Sequence, residues 1–180
     1  MNYLVISDIH GDIEGARLIE SAFQHHHIDA ILCLGDILYH GPRNDLPEHY
    51  APKEVIALFE PYRSRITAVR GNCDAEVDQM VLDFPLLSDS ASFYLGPRKV
   101  FMTHGHIYSP DHLPPLKEGD VFLSGHTHIP VAKQNNGIFF LNPGSASIPK
   151  ENHPRSYGLL NEDGFTIFRY DHTPYRSIHF

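Results

Sequence analysis

Tyr3-Leu4-Val5-Ile6-Ser7-Asp8-Ile9-His10-Gly11 opens with a short continuous apolar run that gives way at once to a carboxylate and an imidazole. Four apolar residues without polar alternation are what a strand covered on both faces presents. Over 12–24, Ile13, Ala16, Ile19, Ala22 and Phe23 recur at helical spacing. Ala30-Ile31-Leu32-Cys33-Leu34 is a second buried strand, ending at Gly35-Asp36. Strand, helix and strand in this order predict two parallel strands joined by a right-handed crossover.

Beyond this unit, 37–51 reads as a loop rich in proline, glycine and polar residues. Pro52 suits the first position of a helix over 53–60 with Val55, Ile56 and Phe59 as its buried face. Ile66-Thr67-Ala68-Val69 is a third strand, followed by Arg70-Gly71-Asn72-Cys73-Asp74 and a short helix over 75–81. The second half changes character. Gly96-Pro97-Arg98, Asn135-Asn136-Gly137 and Asp163-Gly164 each separate two strand-like runs and read as hairpin turns. Val121-Phe122-Leu123 is a further buried strand, and His153, His172 and His179 lie in polar sequence without visible pattern. No repeat or linker interrupts residues 1–180, which read as a single domain of α/β (α+β) class: two sheets packed face to face with helices outside.

Composition limits the function. Hydrophobic residues make up 42% and charged residues 20%, as in a soluble globular protein. A formal charge of −8 argues against nucleic-acid binding as such, which needs a basic surface to displace counterions. It leaves an anionic substrate open, because bound cations would reverse the local sign. Two cysteines offer no disulfide framework, and no charged leader or long apolar run follows Met1. A cytoplasmic protein without a membrane segment is the expectation. Phe93, Tyr94, Phe139, Phe140 and Phe168 suit either the core or the face of a homo-oligomer, and alternation leaves both open.

Histidine is over-used, at 14 residues. His25-His26-His27 suits a solvated helix end, since adjacent helical residues point in different directions. The candidate ligands follow predicted strands. In turn come Asp8 and His10, then Asp36, Asn72, His104 with His106, and His126 with His128. An Asp or Asn after a strand is usually a turn former. Five strand ends in succession, mixing carboxylate, imidazole and amide oxygen, instead suit a site for borderline or hard divalent ions, outside the carboxyl ends of the strands. Histidines two apart in extended backbone have Cα atoms about 6.6 Å apart, which suits two ions better than one.

Asp8-Ile9-His10, Gly35-Asp36, Gly71-Asn72, His104 and Gly125-His126-Thr127-His128 reproduce, in order, the motif series of the calcineurin-like metallophosphoesterases, and the chain resembles that family over most of its length. Asn44-Asp45-Leu46-Pro47, Val69 to Asp74, Thr103-His104-Gly105-His106 and Asn142-Pro143-Gly144-Ser145 are similar to its small bacterial phosphodiesterase branch. The resemblance implies a four-layer sandwich of two mixed sheets flanked by helices, of the metallo-dependent phosphatase type. It also implies two divalent ions, with manganese the first expectation among Mn, Fe, Co, Ni and Zn. One would be held by Asp8, His10, Asp36 and His128 and the other by Asp36, Asn72, His104 and His126, with Asp36 as the bridge. His104 rather than His106 is the ligand in that pattern. Many members carry a histidine, held to protonate the leaving group, where this chain has Cys73. A thiol could donate a proton, so Cys73 and Asp74 are catalytic candidates, Asp74 more as an orienting group than a ligand.

The implied activity is hydrolysis of a small phosphoester, preferentially a diester, by a hydroxide shared between the ions. Arg43, Asn44 and Arg70 are candidate phosphate contacts. A phosphomonoesterase or nucleotidase on the same site is the alternative. A non-catalytic scaffold of the same fold is a weaker one, because the ligands are all present. A zinc deaminase lacks support, since His-x-Glu and Cys-x-x-Cys are missing.

Overall fold

A computed structural model describes residues 1–180. The chain runs β1 (Tyr3–Ile6), α1 (Ile13–Ala16), α2 (Leu18–His25), β2 (Ala30–Cys33), α3 (Pro52–Phe59), β3 (Ile66–Ala68), α4 (Glu76–Gln79), β4 (Ser90–Leu95) and β5 (Arg98–Thr103). It continues through β6 (Val121–Leu123), β7 (Val131–Asn135), β8 (Ile138–Asn142), β9 (Ser156–Asn161), β10 (Gly164–Arg169) and β11 (Pro174–His179). One sheet has the order β11-β10-β9-β1-β2-β3 and the other β4-β5-β6-β8-β7. Both are mixed: β1, β2 and β3 pair in parallel, as do β5, β6 and β8, with antiparallel partners on the flanks.

Register places the site. Ile6 lies opposite Cys33, and Cys33 opposite Ala68, so the turns after β1, β2 and β3 leave the sheet side by side. In the other sheet Met102 pairs with Leu123 and Leu123 with Leu141, which aligns the turns after β5, β6 and β8.

Alternation along β1 and β2 sorts the core. Leu4, Ile6, Ile31 and Cys33 pack under Ala16, Ile19, Ala22, Val55 and Phe59 of the helices. Val5 and Leu32 turn the other way and meet Val100, Met102, Val121, Leu123 and Leu141 between the sheets. Burial of this kind contributes on the order of 1.5–3 kcal/mol per large aliphatic side chain.

Helices flank the six-stranded sheet only. The outer face of the other sheet, at Phe101, Phe122 and Phe140, is covered by Tyr108, Leu113 and Leu116 from the segment between β5 and β6. That segment contains Pro110, Pro114 and Pro115, which deny a helix its backbone donors. The helix expected over 12–24 comes in two pieces around Arg17, which keeps helical backbone angles. β11 was not anticipated. Its inward residues are spaced irregularly, and its pairing with β10 shifts register between Ile167 and Phe168. Of the five aromatics, Phe139 and Phe140 are buried, Phe93 and Phe168 are half-buried against the core, and Tyr94 is 71% exposed on the edge strand β4. No helix is long and apolar enough to cross a membrane.

Candidate metal centre

The strand-end turns hold non-glycine residues in the left-handed region. Nine such residues have positive φ, and five are Asp8 (56°), His10 (51°), Asp36 (55°), His126 (66°) and His128 (60°). Such backbone is costly for L-residues, on the order of 1 kcal/mol or more each, and persists only where the surroundings enforce it. Here they do. Asp8 N donates to Gly35 O at 3.1 Å, His10 N to Asp36 O at 2.9 Å, and Gly125 N to His104 O at 2.7 Å. Ser145 and Ser147 both donate to the Asp8 carbonyl, at 2.8 and 2.9 Å. Asn142 Nδ2 donates to Gly125 O at 2.8 Å, so the turn after β8 buttresses the turns after β1 and β6. Two close approaches demand glycine: a Cβ on Gly71 would lie 2.0 Å from Asp36 Oδ1, and one on Gly125 2.0 Å from Ser7 Oγ.

Backbone carbonyls fix the imidazoles. Nδ1 of His10 donates to Tyr39 O (2.9 Å), that of His104 to Leu34 O (2.7 Å) and that of His128 to Ile148 O (2.7 Å). Each neutral ring then presents a bare Nε2 lone pair. These atoms converge: Nε2 of His10 and His128 are 3.4 Å apart. Asp8 Oδ1 lies 3.2 Å from His128 Nε2, 3.7 Å from His10 Nε2 and 4.0 Å from His104 Nε2. Asp36 Oδ2 lies 3.7 Å from His10 Nε2 and 3.4 Å from His104 Nε2. Asn72 Oδ1 and His126 Nδ1 approach His104 Nε2 at 3.1 and 3.2 Å. Asp8 Oδ2 receives Ser7 Oγ and His126 N, while buried Oδ1 has no hydrogen-bond partner. Acceptors crowded on acceptors, around an orphaned buried carboxylate oxygen, fit a cation between them. Three groupings, Asp8-His10-His128, Asp8-Asp36-His104 and His10-Asp36-Cys73, are each compact enough to hold an ion. His106 belongs to no such group, and its ring centre is 5.4 Å from that of His104.

The charges agree with that fit. Burial opposes ionisation of Asp8, but the His10, His128 and His104 imidazoles facing it hold it well below the usual carboxylate range. Asp36 is lowered too, because its bond and charge interaction with His104 outweigh burial. Burial alone would depress His104, yet Asp36 and Asp8 raise it to about 9. The carboxylates therefore recruit positive charge, as protons on imidazole or as metal. His126 is pushed down to about 4 by burial and by His104, so its ring is a neutral donor of lone pairs at physiological pH.

Cys73 and Asp74 serve the turns. Asp74 accepts from Asp36 N (2.8 Å), Ile37 N (2.9 Å) and Gly71 N (2.7 Å), clamping the turns after β2 and β3 together, and burial raises it to about 6. Cys73 N donates to Asp36 Oδ1 at 2.8 Å, and burial with the Asp36 charge pushes its thiol up to about 12.

A cleft of about 390 Å³ opens over this centre, lined by polar residues alone. Arg43 and Asn44 reach it; Arg70 does not, and pairs with Asp89 at 3.0 Å instead. Lys150 lines the cleft and was missed in the sequence, where it sits in no motif. Its backbone N donates to His128 O at 3.4 Å, a long-range contact no local pattern announces.

A family model described as the calcineurin-like phosphoesterase superfamily domain matches residues 1–164. The chain is 44% identical over 167 residues to phosphodiesterase YfcE of Escherichia coli K12, covering 93% of this chain and 91% of that protein. The solved structure of the Escherichia coli phosphoesterase Yfce superposes with a TM-score of 0.96 at 42% identity, over 99% of each chain. A Vps29 single mutant from Entamoeba histolytica shares the fold, with a TM-score of 0.63 at 23% identity over 100% of this chain and 99% of that one. The chain belongs to the calcineurin-like phosphoesterase superfamily.

Proposed function

We propose that this protein is a metal-dependent phosphodiesterase that uses two divalent cations. The observation that carries the reading is the meeting of three bare Nε2 atoms with Asp8 and Asp36, each ring locked by a carbonyl behind it. One ion is assigned to Asp8, His10, Asp36 and His128, the other to Asp36, Asn72, His104 and His126. Asp36 as the shared ligand is supported by the position of Oδ2 between His10 and His104.

Bound there, divalent cations supply Lewis-acid charge and make water a competent nucleophile near neutral pH. The chain's own task is positioning. Arg43 and Lys150 offer cationic donors to the non-bridging phosphate oxygens across the cleft, with Asn44 beside them. Asp74 and Cys73 N hold the backbone and carboxylate of Asp36 still. Cys73 is given no proton transfer, so substrates whose leaving groups depart without a general acid are favoured.

Preference for diesters rests on the likeness to YfcE. The test is a panel of 4-nitrophenyl phosphate and bis(4-nitrophenyl) phosphate on protein reloaded with Mn, Co, Ni or Zn. Faster diester turnover is expected. Turnover of the monoester alone would replace the diester reading with a phosphomonoesterase, and silence with every metal would remove the enzymatic one.

A further inference from the structure

Next to the polar cleft runs a second depression of about 340 Å³ with opposite chemistry. Six of its eight lining residues are apolar, against none of nine in the cleft. Two residues of the groove border the metal centre. Cys73 lines the groove while its Sγ groups with ligand atoms of His10 and Asp36 within 4.8 Å, and Tyr39 lines it while its carbonyl orients His10.

The groove is held open by the same contacts that build the site. Ala51 N donates to Gly11 O at 2.8 Å, drawing Tyr50 against the first strand-end turn. A Cβ on Gly11 would lie 2.4 Å from the Tyr50 ring, so that ring is seated by a glycine's missing side chain. His40 packs edge-on against both tyrosines, with ring centres 4.8 and 5.4 Å away. Asp78, which also lines the groove, is buried and accepts from Ala75 N at 2.7 Å, capping α4. Tyr39 and Val77 remain 42% and 62% exposed at the rim, large apolar groups with nothing over them.

We infer that this groove receives an uncharged, ring-bearing ester substituent of the substrate while the polar cleft holds the phosphoryl group. The inference rests on the phosphoesterase reading and deepens it. A phosphodiester must project two substituents away from one phosphorus, and an anionic cleft ligand that runs into an apolar trough gains affinity from its organic end only if that end is apolar and flat. Tyr39, Tyr50 and Val77 determine this preference; small or charged substituents gain nothing from them.

The test is calorimetric binding of phenylphosphonate and methylphosphonate to metal-loaded protein, which needs no turnover. Wild-type protein should bind the phenyl compound on the order of tenfold more tightly, from the added apolar burial. Val77→Asp places a charge on an exposed position in the first turn of α4, where an acid suits the helix, so the variant should fold. It and Val77→Ser should each shrink the ratio towards one, with methylphosphonate affinity unchanged. Equal affinities in wild-type protein, or a ratio untouched by both variants, would overturn the inference and leave the phosphoesterase reading standing. Failure of both phosphonates to bind would remove that reading as well. Sedimentation on the same samples covers the other occupant: self-association abolished by Val77→Asp would reassign the groove to a second copy of the chain.

Discussion

Histidines gather twice in this molecule, and the two gatherings are built on opposite logic. At the strand ends His10, His104 and His128 share buried space with Asp8 and Asp36, and half-buried His126 joins them. Around the end of α2 and the turn before β11, His25, His26 and His172 meet Ser21 and buried Tyr157, with the His25 and His172 rings stacked at 3.7 Å. In the second group hydroxyls answer nitrogens: Ser21 Oγ pairs with His172 Nε2 (2.6 Å), His172 Nδ1 with Tyr157 Oη (2.8 Å), and Tyr157 Oη with His26 Nε2 (2.8 Å). That chain is complete with neutral groups, and no carboxylate enters it. In the first group Nδ1 of His10, His104 and His128 is spent on carbonyls, and their Nε2 atoms face other acceptors, which only positive charge reconciles. A count of histidines, four against three, would barely separate the two. What separates them is the partner of the second ring nitrogen and the presence of carboxylates.

The sharpest break between the two regions is expected from removing charge. Asp36→Asn should lower diester turnover on the order of a hundredfold or more, whereas His172→Asn should leave it within about twofold, since no reacting group lies near; steady-state kinetics at saturating metal reads both. Next in size is chelation. At metal concentrations about a hundredfold above Kd, each bound ion adds about 2.7 kcal/mol, so stripping two should lower Tm by roughly 10–20 °C, and His172→Asn should retain this response. Lys150→Ala should raise KM for the diester roughly tenfold, the loss of one charged contact to phosphate, with metal content unchanged.

Smaller effects belong to the hydroxyl-linked cluster. Tyr157→Phe should cost about 1–3 kcal/mol by stranding His172 and His26, with full metal content and normal turnover, as denaturant unfolding and metal analysis would show. The pH signature is smallest. Burial and neighbouring imidazoles lower His26 and His172 in the folded protein. The unfolded chain then binds more protons below its histidine pKa of about 6.5, so this contribution is full above that pH and is lost as pH falls. In chelated protein the raised His104 acts in the other direction: its contribution is full below about 6.5 and is lost as pH rises through about 9. Unfolding curves at several pH values, with His172→Asn flattening only the acidic limb, would separate the two.

Much of this was legible in the chain because strands end where chemistry begins. The apolar runs before Asp8, Asp36, Asn72, His104 and His126 are short and unbroken, and parallel pairing in register carries their ends to one edge. What stayed hidden was long-range. Lys150 reaches the cleft from a turn behind His128, Arg70 is turned away by Asp89, and the Ser21–His172–Tyr157 chain joins residues separated by up to 151 positions. The choice between His104 and His106 could not come from spacing, because alternate residues share a side; the left-handed Gly105 (φ 120°) parts them. Prolines hid the layer over β5, β6 and β8, where compactness requires a cover but not a helix.

The central claim is a pair of cations shared across Asp36, and direct metal counting by plasma emission spectrometry tests it most closely. Metal-loaded wild-type protein should carry two ions per chain, and His126→Ala and His128→Ala should each retain about one, from opposite halves of the site. Two full ions in both variants, or none in wild-type protein after loading, would contradict the account.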